Sequence, residues 1–252
     1  MKSVSVSEST TFSERLLTRL KRAKSVVVLT GAGVSAESGV STFRDPDGLW
    51  ANFKPEELAT PEAFKKNPKM VWEWYAWRRE KIKKVKPNPG HYALAEMEKI
   101  FPKFALITQN VDGLHYVAGS RNILELHGNI HRNKCFKCEK IYPEGVESEQ
   151  IPPKCSCGGF LRPDVVWFGE LLPAGILEKS YQLSQSCDLF FSIGTSALVH
   201  PAASLPLYAK KNGAYLVEIN PGPTEISHLV DETILGKSGE ILPNLVSALS
   251  GQ

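Results

Sequence analysis

The chain has 252 residues, with 30 lysines and arginines against 27 aspartates and glutamates and a formal charge of +3. That balance is too mild to indicate direct nucleic-acid binding, and the length is enough to bury a substantial core. The N-terminus has no apolar signal-peptide core and no run approaches the roughly eighteen apolar residues of a spanning helix, so a soluble, cytoplasmic protein with no membrane partner is expected.

Leu16, Leu17 and Leu20 recur at helical spacing between Phe12 and Arg22, predicting an amphipathic helix. The run Val26-Val27-Val28-Leu29 is apolar without alternation, as in a parallel strand covered on both faces. It leads into Gly31-x-Gly33-x-x-Ala36, which matches a dinucleotide-binding fingerprint. Gly31 and Gly33 permit a tight turn close to a ligand, and the following helix start would offer free N–H groups to a pyrophosphate. An ordinary strand-turn-helix connection fits the same residues. About twenty residues on, a dehydrogenase would place an acid for the adenosine ribose. Here Ser41-Thr42-Phe43-Arg44-Asp45-Pro46-Asp47-Gly48 reads as a loop lying over the ligand, which argues against hydride transfer.

Further strands are predicted at Phe104–Thr108, Ile123–Leu126, Leu189–Ile193 and Tyr215–Ile219, with helices at His91–Ile100, Pro201–Asn212 and Glu240–Leu249. This alternation indicates an α/β fold built on a doubly wound parallel sheet. An aromatic segment over 49–90 and a polar, cysteine-bearing segment over 132–161 interrupt it and predict a smaller module, leaving 12–48, 91–131 and 162–250 to the sheet domain. Ligands of open α/β sheets bind beyond the carboxyl ends of the strands. Gly31, Gln109, Asn110, His127, Gly194, Thr195, Ser196 and Asn220 all fall there.

Cys135-x-x-Cys138 and Cys155-x-Cys157 are separated by sixteen residues rich in charge, proline and glycine. The pattern resembles a four-thiolate zinc knuckle, with Gly158-Gly159 supplying turn freedom. Four thiolates close a tetrahedral sphere, so the expected Zn2+, about one per chain, is structural. Four free thiols in a loop are the alternative, but a stretch with so little apolar content needs a staple. Cys187 reads as a small core residue.

Six segments recur in one order: Gly31-Ala-Gly-Val-Ser-Ala-Glu-Ser-Gly-Val-Ser-Thr-Phe-Arg44, Thr108-Gln-Asn-Val-Asp-Gly-Leu-His115, Leu126-His127-Gly128, Arg162-Pro-Asp-Val-Val-Trp-Phe-Gly-Glu170, Gly194-Thr195-Ser196 and Glu218-Ile-Asn-Pro221. On these motifs the chain, from about Leu17 to Leu245, resembles the sirtuins, the NAD-dependent protein deacylases. It implies a Rossmann-like sheet domain with a smaller zinc-binding and helical module, and NAD consumed as co-substrate. The acyl-lysine oxygen attacks the ribose carbon that bears nicotinamide, and His127 then helps deprotonate a ribose hydroxyl. Free lysine and O-acyl-ADP-ribose result, so acylated-lysine proteins or peptides are the implied partners.

By the same resemblance, Asn110 and Asp112 orient the nicotinamide end, and Gly31, Ala32, Gly33, Ser35, Phe43, Arg44, Gln109, Gly194, Thr195, Ser196, Asn220, Pro221, Gly222 and Ser238 line the rest of the NAD site. Asn-x-Asp-Gly is also plain turn chemistry. His115 and His131 are rivals to His127, while His91 and His200 read as helix-start residues and His228 as a loop residue. Mono-ADP-ribosyl transfer to protein and noncatalytic NAD sensing use the same residues and stand as alternatives.

Val165, Trp167, Phe168, Gly169, Glu170 and Val199 are implied to line the acyl channel, its backbone open to an extended peptide, although a core strand fits the pattern equally well. Helical spacing brings Tyr75 and Arg78 to one face. An aromatic cluster is more often packing and an arginine in a basic run more often solvated. Yet Tyr-x-x-Arg is similar to the motif of sirtuins that accept succinyl- and malonyl-lysine, where both side chains bind the distal carboxylate.

Overall fold

The computed structural model describes residues 12–40, 55–146 and 148–250. Helix α1 (Glu14–Arg22) leads into β1 (Ser25–Thr30) and the short α2 (Ala32–Ala36), followed by α3 (Pro55–Leu58), α4 (Pro61–Lys66) and α5 (Pro68–Ile82). Next come α6 (Pro89–Ile100), β2 (Lys103–Thr108), α7 (Leu114–Ala118) and β3 (Ile123–Glu125). An antiparallel excursion runs through β4 (Gly128–Cys135), β5 (Ile141–Pro143) and β6 (Leu161–Val165). The chain returns through α8 (Ala174–Ser186), β7 (Leu189–Ile193), α9 (Leu205–Lys211), β8 (Tyr215–Asn220), β9 (Glu232–Leu235) and α10 (Ser238–Ser250).

Six strands form one parallel sheet in the order β3-β2-β1-β7-β8-β9. The unbroken valine run of β1 has a direct explanation. Val26 and Val28 face Leu16, Leu94, Met97 and Leu242 on one side, while Val27 and Leu29 face Phe190, Leu205 and Leu216 on the other. A strand with two buried faces has no polar position to alternate with, and each buried branched side chain contributes about 1.5–3 kcal/mol. Thr30 pairs with Thr108 and Ile193, and Ile193 with Ile219. The carboxyl ends of the four central strands therefore lie level along one edge.

Helix starts follow local hydrogen bonding. Ser13 Oγ accepts from Leu16 N at 3.0 Å at the start of α1, and Asn67 Oδ1 accepts from Met70 N at 3.1 Å ahead of Pro68 in α5. Helix α6 begins two residues before the predicted His91, at Pro89, because Asn88 is the cap: its Oδ1 accepts from Gly90 N while His91 Nδ1 accepts from the Asn88 N–H. The predicted Pro201–Asn212 helix is a 3-10 turn at Ala202–Ser204 followed by α9. Helix α8 lacks a clear sequence signal, since its buried Ser180 and Ser184 bond back to the carbonyls of Ile176 and Ser180 instead of presenting an apolar stripe.

The antiparallel strands form a separate sheet, β5-β4-β6. It runs from Gly128 to Val165, beyond both ends of the cysteine-bearing segment. Leu58, Phe64, Val71 and Tyr75 from the helical stretch share a core with Ile130, Val165 and Trp167. Arg79 of α5 joins the two parts by donating to Ile130 O and Asn133 Oδ1 of β4. No helix among the described residues is long and apolar enough to cross a membrane.

Gly194 adopts φ +59°, and a Cβ there would lie 2.5 Å from Val34 N. Gly194→Ala is expected to lower the unfolding free energy by roughly 1–3 kcal/mol, the range for backbone strain at such a position. Urea denaturation checks this; unchanged stability would mean that the turns after β1 and β7 separate freely.

Candidate active site

The two glycine turns meet at the centre of the sheet's carboxyl edge. Gly33 N donates to Gly194 O at 2.8 Å and Gly31 N to Ile193 O at 3.0 Å. A Cβ on Gly31 would lie 2.7 Å from Gly194 O, and one on Gly33 would lie 2.8 Å from Gly194 Cα. The glycines are thus required by backbone approaching backbone. Fewer N–H groups are free at the helix start than the sequence suggests: Gly33 N–H is engaged by Gly194 O, and Val34 N–H by Gly31 O at 3.1 Å.

A buried polar network spans this edge. Asp112 Oδ2 accepts from Ser35 Oγ at 2.8 Å and its Oδ1 from Leu114 N at 2.9 Å. Asn110 Nδ2 donates to Gly31 O at 3.0 Å and Ser35 Oγ at 3.2 Å, leaving its amide oxygen as the acceptor for a ligand. Gly113, at φ +76°, turns the chain into α7, so Asn-x-Asp-Gly does form a turn, with its side chains in the buried network. His91 Nδ1 accepts from Asn88 N, so Nε2 carries the proton and faces Ser35 Oγ at 3.4 Å. Sequence reasoning gave Thr30 no role, yet Thr30 Oγ1 links Thr108 Oγ1 at 2.9 Å to His115 Nε2 at 3.0 Å beneath the site.

The histidines separate by environment. His127 Nδ1 lies 3.0 Å from Gln109 O. A carbonyl only accepts, so Nδ1 is protonated and Nε2 holds the lone pair of a base. Burial pushes the His127 pKa below 6.5, opposed by the Gln109 carbonyl, so the ring is neutral near pH 7. Burial also lowers His91 and drives His115 well down. His131 Nε2 donates to Asp112 O at 3.0 Å and supports the turn that carries Asp112. His200 Nδ1 is 3.0 Å from Ser204 Oγ at the 3-10 turn.

Gln109 Nε2 donates to Thr195 Oγ1 at 3.0 Å, joining the ends of β2 and β7. A cleft of about 390 Å³ beyond β7 and β8 is lined by Ser196 and Asn220 together with Leu198, Thr224, Glu225 and His228. The last four were not anticipated, because a polar loop carries no periodicity that marks it as a wall. Asn220 Nδ2 donates to Gly222 O at 2.9 Å, and Pro221 begins the loop. Ser238 Oγ and Gly239 N both donate to Glu37 Oε1, at 3.0 and 2.9 Å, tying the end of α2 to α10. Phe43 and Arg44 lie outside the described residues, and Ala32 opens α2.

Tyr75 and Arg78 are buried on α5, at 2% and 6% exposure, so Arg78 is not a solvated member of a basic run. Burial raises the Tyr75 pKa and lowers that of Arg78, which Tyr75 and Asp112 push back up. Trp167 Nε1 donates to the Tyr75 hydroxyl at 2.9 Å. Glu170 pairs with Arg162 through contacts of 2.5 and 3.0 Å and accepts from Trp167 N at 2.8 Å. Burial opposes its charge, but Arg162 holds the carboxyl below the usual range. Several backbone N–H groups of this segment are engaged within the fold: Val166 N donates to His127 O, Phe168 N to Ala59 O and Glu170 N to Trp167 O. Val165 pairs with Gly128 at the end of β6. Phe168 and Val199 expose their side chains, and Gly169 turns at φ +85°.

In the small module the sulfurs of Cys135, Cys138, Cys155 and Cys157 all lie within 4.8 Å of one another. None forms a disulfide. Cys135 and Cys157 are 3.5 Å apart and Cys138 and Cys155 3.6 Å. Gly158 supplies the turn at φ +83°, and a Cβ on Gly159 would press on Cys135 Sγ at 2.8 Å. The Cys157 N–H and the Tyr142 hydroxyl hold the Cys155 thiol down at about 5. Cys138, despite the Lys140 N–H that favours its thiolate, is pushed up to about 12 by the Cys157 and Cys135 sulfurs. Four thiolates so close repel one another, and a shared cation relieves that repulsion. The set can hold a metal ion.

The Sir2 family profile matches residues 31–201. An NAD-dependent protein deacylase of Aquifex aeolicus is 57% identical over 208 residues, covering 82% of this chain and 87% of its own. The chain belongs to the Sir2 family. A crystal structure of a Sir2 homologue in complex with NAD superposes with a TM-score of 0.89 at 46% identity, covering 98% of this chain and 97% of that one. A substituted Sir2 homologue in complex with 2'-O-acetyl-ADP-ribose gives 0.88 at 47% identity, with coverage of 95% and 97%.

In this Sir2 family member the sequence-nominated residues fall into separate groups along the sheet edge, on α5 and β6, and at the cysteine cluster. Elemental analysis of the purified protein is expected to find about one divalent ion per chain, bound to the four thiolates. Less than half an ion per chain in folded protein would rule out the metal site.

Proposed function

We propose that this Sir2-family chain is an NAD-dependent deacylase of protein lysine that favours acyl groups ending in a carboxylate. It is an enzyme that releases nicotinamide and O-acyl-ADP-ribose, as its similarity to named deacylases and to homologues holding NAD and 2'-O-acetyl-ADP-ribose supports. The observation that carries a catalytic reading is the orientation of His127. With Nδ1 bonded to the Gln109 carbonyl, Nε2 is free to accept a proton from a ribose hydroxyl. Asn110 and Asp112, braced by Ser35, orient the nicotinamide end, while Ser196 and Asn220 take the adenosine side. The four-thiolate ion is zinc, which supports the small module and takes no part in chemistry, because four protein ligands leave no open position. Among the described residues, the sheet domain takes 12–40, 91–127 and 166–250, with 55–90 and 128–165 in the small module. Acylated lysines of cytoplasmic proteins are the partners.

The acyl preference follows from Tyr75 and Arg78. Tyr75 and Arg78 are buried together on α5, and a carboxylate can accept from a guanidinium in bidentate fashion while also accepting from the tyrosine. Acetyl-lysine offers no such group.

Two measurements test this reading. His127→Ala is expected to abolish deacylation turnover with little effect on folding. Because the His127 pKa lies below 6.5 and its neutral form is the base, kcat/KM should hold as the pH falls to 6.5 and decline only below it. A decline centred above that value would assign the base elsewhere. Arg78→Met should raise the barrier for a succinylated peptide by about 1.5–3 kcal/mol, with a smaller effect on its acetylated form. Equal losses on both peptides would make Arg78 structural.

A further inference from the structure

Acyl preference in this reading involves Tyr75 and Arg78, and the packing draws in a third side chain. Trp167 Nε1 lies 2.9 Å from the Tyr75 hydroxyl oxygen. Both side chains are 2% exposed, so water is not at hand to replace this bond. An indole N–H donates and never accepts, which makes the phenol oxygen the acceptor. Among the described residues no acceptor takes the phenolic proton in turn. Arg78, three residues further along the helix, also carries donors only.

The indole is itself held in place. The Arg162 guanidinium carbon sits 3.2 Å from the Trp167 ring centroid, and the Phe64 ring packs 5.4 Å from it on centroids. Trp167 N is fixed at 2.8 Å from Glu170 Oε2, whose carboxylate is paired with Arg162. Glu170, Arg162 and Trp167 therefore form a chain that sets the direction of one N–H.

We propose that Trp167 is a positioning residue for acyl selection: its N–H occupies the acceptor side of the Tyr75 hydroxyl and leaves the phenol as a donor, beside Arg78, to a carboxylate on the acyl group. This rests on the Tyr75–Arg78 reading. Without the indole N–H the hydroxyl can turn a lone pair towards the acyl group, which repels its carboxylate. An acetyl group carries no carboxylate and does not register the change.

The test compares kcat and KM for succinylated and acetylated forms of one peptide in the full chain. Trp167→Phe removes the N–H. Benzothienylalanine at position 167, which keeps the indole shape without the N–H, serves where Trp167→Phe fails to fold. The succinyl-to-acetyl ratio of kcat/KM is expected to fall about two- to tenfold, the range for one neutral hydrogen bond. It should fall no further when the change is added to Tyr75→Phe, because the hydroxyl is then already gone. An unchanged ratio in a folded variant, or the same fall in the Tyr75→Phe background, overturns the role of Trp167. Arg78→Met separates the two levels. An unchanged ratio there removes the Tyr75–Arg78 reading and this inference with it, whereas a reduced ratio there beside an unchanged one at position 167 removes only the inference.

Discussion

Backbone contact between the turns after β1 and β7 organises the carboxyl edge of the sheet. Gly31 and Gly33 lie against Gly194 at distances that no Cβ could share, and the Gly33 to Gly194 hydrogen bond closes the contact. Because β1, β2 and β7 run parallel and in step, fixing these turns also fixes the residues just beyond β2. Asn110 reaches back to Gly31 O, and Gln109 reaches across to Thr195. The polar residues of this edge therefore rest on main chain that is itself hydrogen-bonded, the rigid support that a site needs to hold its geometry.

Below that edge, polar groups are buried in pairs that settle one another's protons. His91 receives the Asn88 N–H on Nδ1 and so turns a donor towards Ser35, which in turn donates to Asp112. His127 does the reverse, donating from Nδ1 to the Gln109 carbonyl and keeping a basic nitrogen. Two histidines near the same strands thus have opposite tautomers. Only the one with a free lone pair at the carboxyl edge is suited to accept a proton.

Parts of this arrangement were legible in the chain. The buried strands could be read because Val26–Leu29 and Leu189–Phe191 have two apolar faces and no polar interruption, and His127 because it follows a strand. The four cysteines could be paired by spacing alone. Helix α8 could not, since its serines bury their hydroxyls on their own helix carbonyls. The half-exposed edge strand β9 lacks an apolar run, and the loop with Glu225 and His228 becomes a wall only when it folds against Asn220. The segment after Val165 looked like open strand, but its N–H groups find partners at His127, Ala59 and within its own turn, residues distant in sequence or hidden in a tight bend.

What the sequence determined by itself was the set of local choices: apolar runs, glycines at turns, and the spacing of thiols. These are fixed by neighbours a few residues away, so they can be read from one segment at a time. What only the tertiary structure decided was which groups remain available after folding. Gly33 N–H looks free in the sequence and is engaged in the fold, whereas Arg78 looks solvated and is buried beside Tyr75. Availability depends on partners brought together from distant segments, and in a close-packed interior each donor and acceptor is assigned by the whole set of neighbours at once.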